Sequence, residues 1–176
     1  MIKTFAIIFS ALLALGCAPA GNSPASDPSY PARVVAVADG DAITVLDAGN
    51  NQIQIRLYGI ACPEQRQPYG NRARQATADA VHGKTVNVHP VEADGYGRTL
   101  ALVAAPGREM LNSWLVKEGL AWVCPQYCKR EDICGRLLEL ERAARENKAG
   151  LWADGKAVPP WEWRRVKKDI DKSSDK

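Results

Sequence analysis

Gln52-Ile53-Gln54-Ile55-Arg56-Leu57-Tyr58 decides the architecture. Polar and apolar residues alternate along it, so Ile53, Ile55 and Leu57 share one face of a half-buried strand and Gln54, Arg56 and Tyr58 share the other. Upstream, Arg33 to Ala38 and Ala42 to Asp47 are short β-branched runs on either side of Asp39-Gly40-Asp41, which reads as strand, turn, strand. Downstream, Thr85 to Val91 and Arg98 to Ala104 are two further strands, joined by a loop with the turn dipeptide Asp94-Gly95. Asn71 to Val81 places Ala73, Ala76, Ala80 and Val81 at helical spacing and stops at Gly83. Met110 to Glu118 and Leu137 to Asn147 read as two more helices, closed by Gly119 and Gly150. The string predicts an α+β, mainly β fold: a five-stranded OB-type barrel decorated with about three helices. A split α+β sheet fits the same string.

The length of 176 residues and 46% hydrophobic content suit one domain with short appendages. A formal charge of +3 set against 20 acidic residues gives no bulk case for a polyanionic partner, so such a case rests on placed residues. Lys3 followed by the apolar run Phe5 to Leu15 reads as an export signal, too short to cross a bilayer. Leu13-Ala14-Leu15-Gly16-Cys17 resembles a bacterial lipoprotein box, although Ala14 and Leu15 depart from its usual order, and Ala18-Pro19-Ala20 fits ordinary signal peptidase. The lipoprotein reading is favoured because a Gly/Ser/Pro-rich tether follows Cys17. The expected layout is a signal peptide over 1–16, a tether over 17–31 with Cys17 lipidated, a folded domain over 32–165 and a charged, disordered tail over 166–176. The protein is then exported to the bacterial envelope, facing the periplasm or exterior on a lipid anchor in the membrane, or is secreted. Cys62, Cys124, Cys128 and Cys134 remain in the domain, and an even count in an oxidising compartment predicts two disulfides. Their spacing lacks the C-x-x-C pair of a common zinc site, and neither His82 nor His89 is near.

Four pieces carry chemistry, Asp39-Gly40-Asp41, Arg56, Pro63-Glu64 and Asp94-Gly95-Tyr96-Gly97-Arg98, set within Val37-Ala38-Asp39-Gly40-Asp41 and Ile55-Arg56-Leu57-Tyr58-Gly59-Ile60-Ala61-Cys62-Pro63-Glu64 and followed by Gly119-Leu120-Ala121-Trp122, Gly150-Leu151-Trp152 and Pro160-Trp161-Glu162, whose tryptophans read as packing residues. Each alone is an ordinary turn, strand or hairpin. In order and spacing together they resemble the staphylococcal nuclease family over about Ala32 to Arg165. The resemblance implies a calcium-dependent nuclease that hydrolyses the phosphodiester bonds of DNA, RNA or both to 3′-phosphate products.

It also implies roles. Arg56 and Arg98 are the catalytic arginines, planar and permanently charged forks that match the oxygens of a phosphoryl group. Glu64 orients or deprotonates the attacking water. Asp41 and the backbone carbonyl of Cys62 are calcium (Ca2+) ligands, with Asp39 in the outer shell, since this ion takes six to eight oxygens. Tyr96 and Tyr127 pack on sugar or base, a role that ordinary half-buried tyrosines mimic. The family has a second aspartate ligand where this chain has Ala61, which leaves open a module that binds nucleic acid and cuts nothing. For the disulfides, Cys62–Cys124 and Cys128–Cys134 are expected, because the latter closes a short loop and the family brings the segments of the former together; other pairings stay open. The expected assembly is a monomer.

Overall fold

Tyr30–Asp39 forms ten residues of continuous strand, and two later strands pair with it antiparallel. The strands are β1 (Tyr30–Asp39), β2 (Ala42–Leu46), β3 (Gln52–Leu57), β4 (Ile60–Ala61), β5 (Thr85–Ala93), β6 (Thr99–Ala104) and β7 (Trp122–Val123); the helices are α1 (Gly70–Val81), α2 (Leu111–Lys117), α3 (Glu131–Glu146) and α4 (Pro160–Ser174), with a 3₁₀ turn at Gly150–Trp152. This computed structural model describes residues 28–153 and 155–174, with side chains to residue 168. The expected signal peptide and Cys17 lie outside the described residues.

Five strands close into a barrel in the order β1-β2-β3-β6-β5, with β5 returning to β1. All pairs are antiparallel except β3 with β6, which run parallel. The five-stranded barrel read from the sequence is therefore present. The alternation that opened the analysis holds on its apolar face: Ile55 and Leu57 are buried, and they meet Val34, Val45, Val88 and Val103 inside. At the bottom of the barrel α1 presents Ala73, Ala80 and Val81, and α2 presents Leu111, Leu115 and Val116, all buried. Small side chains on α1 let its backbone lie close to β1, and Thr77 donates its hydroxyl to Gly40 O at 2.7 Å.

Three expectations need correction. Tyr58 does not share the exposed side of β3. The strand ends at Leu57, the chain turns at Gly59 (φ +75°), and Tyr58 is buried with its hydroxyl accepting the N–H groups of Lys129 and Arg130 at 3.0 and 3.2 Å. Among the described residues four helices are present rather than about three, because the segment expected to be a frayed tail from residue 166 is helical through Ser174. Low apolar content hid its anchors: Pro160 presets φ for the first turn, and Trp161 packs on a cluster of Trp122, Ala144, Leu151 and Trp152. Helix α3 likewise starts at Glu131 and not Leu137, with Glu131 and Asp132 placed to complement its positive end.

The third correction concerns the cysteines. Cys128 and Cys134 are bonded as expected, with a Cα–Cα distance of 5.7 Å, whereas Cys62 and Cys124 are both free and buried. The β4–β7 ladder explains this. It pairs Ile60 with Val123 and Ala61 with Trp122, and Cys124 donates its N–H to Gly59 O at 2.9 Å. Cys124 thus stands opposite Gly59, about 10 Å of strand away from Cys62 at roughly 3.3 Å per residue, and a disulfide spans at most about 7 Å between Cα atoms. Cys62 Sγ instead fills the space beside Gly40, where an added Cβ would come within 2.8 Å of it.

One buried amide secures the parallel β3–β6 seam. Asn112 on α2 is fully buried; its Oδ1 accepts Val103 N–H at 3.1 Å, and its Nδ2 donates to Tyr58 O at 3.0 Å and Ala101 O at 3.2 Å. Asn112→Ala is expected to destabilise the fold by about 2–4 kcal/mol, because it leaves buried backbone groups without partners; urea unfolding followed by tryptophan fluorescence measures it.

Candidate active site

The β1–β2 turn, the end of β3, the loop after β4 and the β5–β6 hairpin converge at one end of the barrel around a cleft of about 510 Å³. Asp39, Asp41, Arg56, Cys62, Glu64, Tyr96, Arg98 and Tyr127 all line it. Every side chain or carbonyl residue expected to act from the sequence is therefore gathered in one place.

Asp41 is buried at its base. Leu57 donates its N–H to Asp41 O at 2.9 Å, which fixes the turn against β3. The carboxylate accepts Cys62 N–H at 2.9 Å through Oδ2, and Arg56 reaches it with Nη2 at 3.2 Å and Nη1 at 3.4 Å. Burial pushes its pKa up, Arg56 and the Cys62 N–H pull it down, and the nearby charges of Asp39 and Glu64 push it further up; the net shift is upward. Gly40 is required beside it, since a Cβ there would meet Cys62 and Ala73 within 3 Å.

Arg98 is held differently. Asp94 Oδ1 accepts the N–H groups of Tyr96 (2.9 Å) and Arg98 (3.0 Å), forming a side-chain-capped turn, while its Oδ2 takes Arg98 Nε and Nη2, each at 2.7 Å. Burial alone would raise the Asp94 carboxyl; the two N–H bonds and the guanidinium outweigh it and hold the group below the usual carboxylate range. The Arg98 guanidinium stands 5.6 Å from the Tyr96 ring, and Tyr96 is 89% exposed, open to a stacking partner. Tyr127 is exposed on the same rim.

Glu64 follows β4. Its N–H donates to Gln67 Oε1 at 3.1 Å, Gln67 N–H returns to Glu64 O at 2.8 Å, and its carboxylate is ion-paired to Arg164 of α4. Gly70 lies against this loop so closely that a Cβ would sit 1.9 Å from Glu64 O. Asp94, Gln67 and Arg164 are the functional neighbours that the sequence reading missed. Asp94 had a signal, four residues before Arg98, and was read only as a turn; Gln67 and Arg164 had none.

The cleft offers hard oxygen donors: carboxylates at Asp39, Asp41, Glu64 and Asp94, and backbone carbonyls. Removal from water is the main cause of the raised pKa of Asp41, and the carboxylates of Asp39 and Glu64 add to it. That chemistry fits a hard divalent cation held by few protein ligands and several waters. Ala61 is buried on β4 opposite Trp122, and among the described residues no group of three or more His, Cys, Asp or Glu side chains is arranged to hold a metal ion.

An ionised carboxylate held above its ordinary pKa costs stability at every pH above its folded pKa, and that cost vanishes below the unfolded value of about 3.9. Asp41→Asn is therefore expected to raise the melting temperature at pH 7 in chelator while abolishing cleavage. The gain shrinks as pH falls and is absent below about pH 4; calorimetric melts of both proteins from pH 3 to 8 check it.

Residues 54–154 match the family described as staphylococcal nuclease homologue. The chain is similar to the micrococcal nuclease of Shigella flexneri, 41% identical over 145 residues that cover 78% of this chain and 82% of that protein. It is also similar to an uncharacterized endonuclease of Escherichia coli O157:H7, 42% identical over 135 residues (77% and 85% covered), and to the protein ParB of Escherichia coli, 39% identical over 141 residues (76% and 78% covered). With the closed barrel and the placement of the cleft residues, these likenesses give one conclusion: the chain belongs to the staphylococcal nuclease homologue family.

Proposed function

We propose that the cleft hydrolyses phosphodiester bonds of DNA or RNA with a calcium ion, leaving 3′-phosphates, and that the protein acts as a monomer in the bacterial envelope on a lipid at Cys17. That the chain is a nuclease follows from its family; the metal, products, anchor and site roles are this reading's own. The observation that carries it is the convergence of Arg56, Arg98 and Glu64 on one cleft whose base is the buried Asp41.

A phosphodiester attacked by water gathers negative charge on its phosphoryl and leaving oxygens. Arg56 and Arg98 supply preformed N–H forks to that charge, and their acidic partners hold both guanidiniums in place before substrate arrives. Glu64 accepts a hydrogen bond from the attacking water and takes up its proton. Tyr96 and Tyr127 offer open aromatic faces to base or sugar. Asp41 and the Cys62 carbonyl would hold calcium, with Asp39 behind them, and the bound ion would supply Lewis acidity toward the phosphoryl group.

Purified protein is expected to digest single-stranded DNA in calcium and to stop in chelator, with Arg56→Ala and Arg98→Ala each lowering turnover about 10²–10³-fold. Unchanged turnover in either variant removes that arginine from the mechanism. The second reading, a module that grips phosphates without cutting, is favoured by Ala61 alone; retained DNA binding with no cleavage in calcium would select it. Restoring a carboxylate by Ala61→Asp is expected to lower the calcium concentration for half-maximal cleavage, because affinity in such sites follows ligand charge. A calcium titration of cleavage rate for both proteins measures it.

A further inference from the structure

The final helix reaches back into the cleft. Arg164 of α4 is ion-paired to Glu64 from 100 residues downstream and lines the same cavity as Arg56 and Arg98. It lies beyond residues 54–154, the part of the chain matched by the family.

A second, independent tie joins the Glu64 loop to the segment leading into α4. Gln67 is buried, and its amide faces both ways: Oε1 accepts the Glu64 N–H at 3.1 Å, and Nε2 donates to Val158 O, two residues before α4. Helix α4 is in turn pinned by Trp161 on the Trp122–Trp152 cluster. The Glu64 carboxylate is thus bound to the anchored helix, and its backbone, through Gln67, to the segment that leads into that helix. The Gln67 link offers no cation to a phosphate; its effect is to hold the Glu64 loop and α4 in register, and the Arg164 fork then selects a carboxylate orientation. A glutamate with a partly exposed side chain otherwise samples several rotamers, of which a bound water needs one.

We propose that Arg164 is a positioning residue for catalysis: α4 sets the orientation of the Glu64 carboxylate through the Arg164 ion pair and the Gln67 bridge to Val158. This rests on the reading of Glu64 as the water-orienting group.

Steady-state kinetics on single-stranded DNA in calcium test it with Arg164→Ala, Arg164→Lys, Glu64→Gln and the Arg164→Ala/Glu64→Gln double variant. Arg164 is about half exposed, so melting temperatures are expected to stay at the wild-type value. Arg164→Ala is expected to lower kcat about 10–100-fold with KM nearly unchanged, Arg164→Lys to recover part of the loss by keeping charge without the fork, and Arg164→Ala to add nothing in the Glu64→Gln background. A loss confined to KM, a gain in kcat, or additive losses in the double variant overturns the proposal. Full turnover in Glu64→Gln overturns the reading of Glu64 and this inference with it. A large loss in Glu64→Gln beside an unaffected Arg164→Ala overturns the inference alone.

Discussion

Asp41 sits where β1 turns into β2, and three groups from two later segments hold it: the N–H of Leu57 on its backbone carbonyl and the guanidinium of Arg56 on its carboxylate, both from the end of β3, and the N–H of Cys62, after β4, on the same carboxylate. These contacts lock the β1–β2 corner to β3 and to the loop leading to Glu64. The same buried charge is raised in pKa chiefly by its removal from water, and by Asp39 and Glu64 besides. The corner of the barrel and the base of the cleft are therefore one feature. Its fold-stabilising hydrogen bonds and its destabilising charge are inseparable as long as residue 41 is an aspartate.

Much of this was legible in the sequence because local chemistry and global fold agree there. The alternation of Gln52 to Leu57, the β-branched runs around Asp39-Gly40-Asp41 and the alanine stripe of α1 each carry their own period, and each forms the expected element. The candidate site residues were named from their order along the chain, and all of them line one cleft. What stayed hidden depends on contacts of long range. Helix α4 is rich in charged residues and owes its place to Trp161 against the Trp122–Trp152 cluster, which no local window contains. Tyr58 continued the alternation in sequence, but a positive φ at Gly59 ended the strand. The free state of Cys62 and Cys124 follows from the β4–β7 register, which spacing does not encode.

Each arginine of the cleft meets an acid: Arg56 with Asp41, Arg98 with Asp94, Arg164 with Glu64. A cleft lined by paired charges has a weak far field, consistent with a chain whose acidic and basic residues nearly balance. Recognition of a polyanion then occurs at close range, where a phosphate competes with a carboxylate for the same guanidinium. The acids that orient the forks also oppose their capture by any stray anion.

The cleft is walled by residues from Asp39 in the first strand to Arg164 in the last helix. The β3–β6 seam joins segments separated by a helix and two strands, and the Glu64 loop is bridged to Val158, 91 residues downstream of Gln67. No partial chain emerging from the ribosome, or threading a pore N-terminus first, contains the complete cavity. The finished wall exists only after α4 has docked, so the order of synthesis itself withholds the assembled site until the chain has been made at least as far as Arg164.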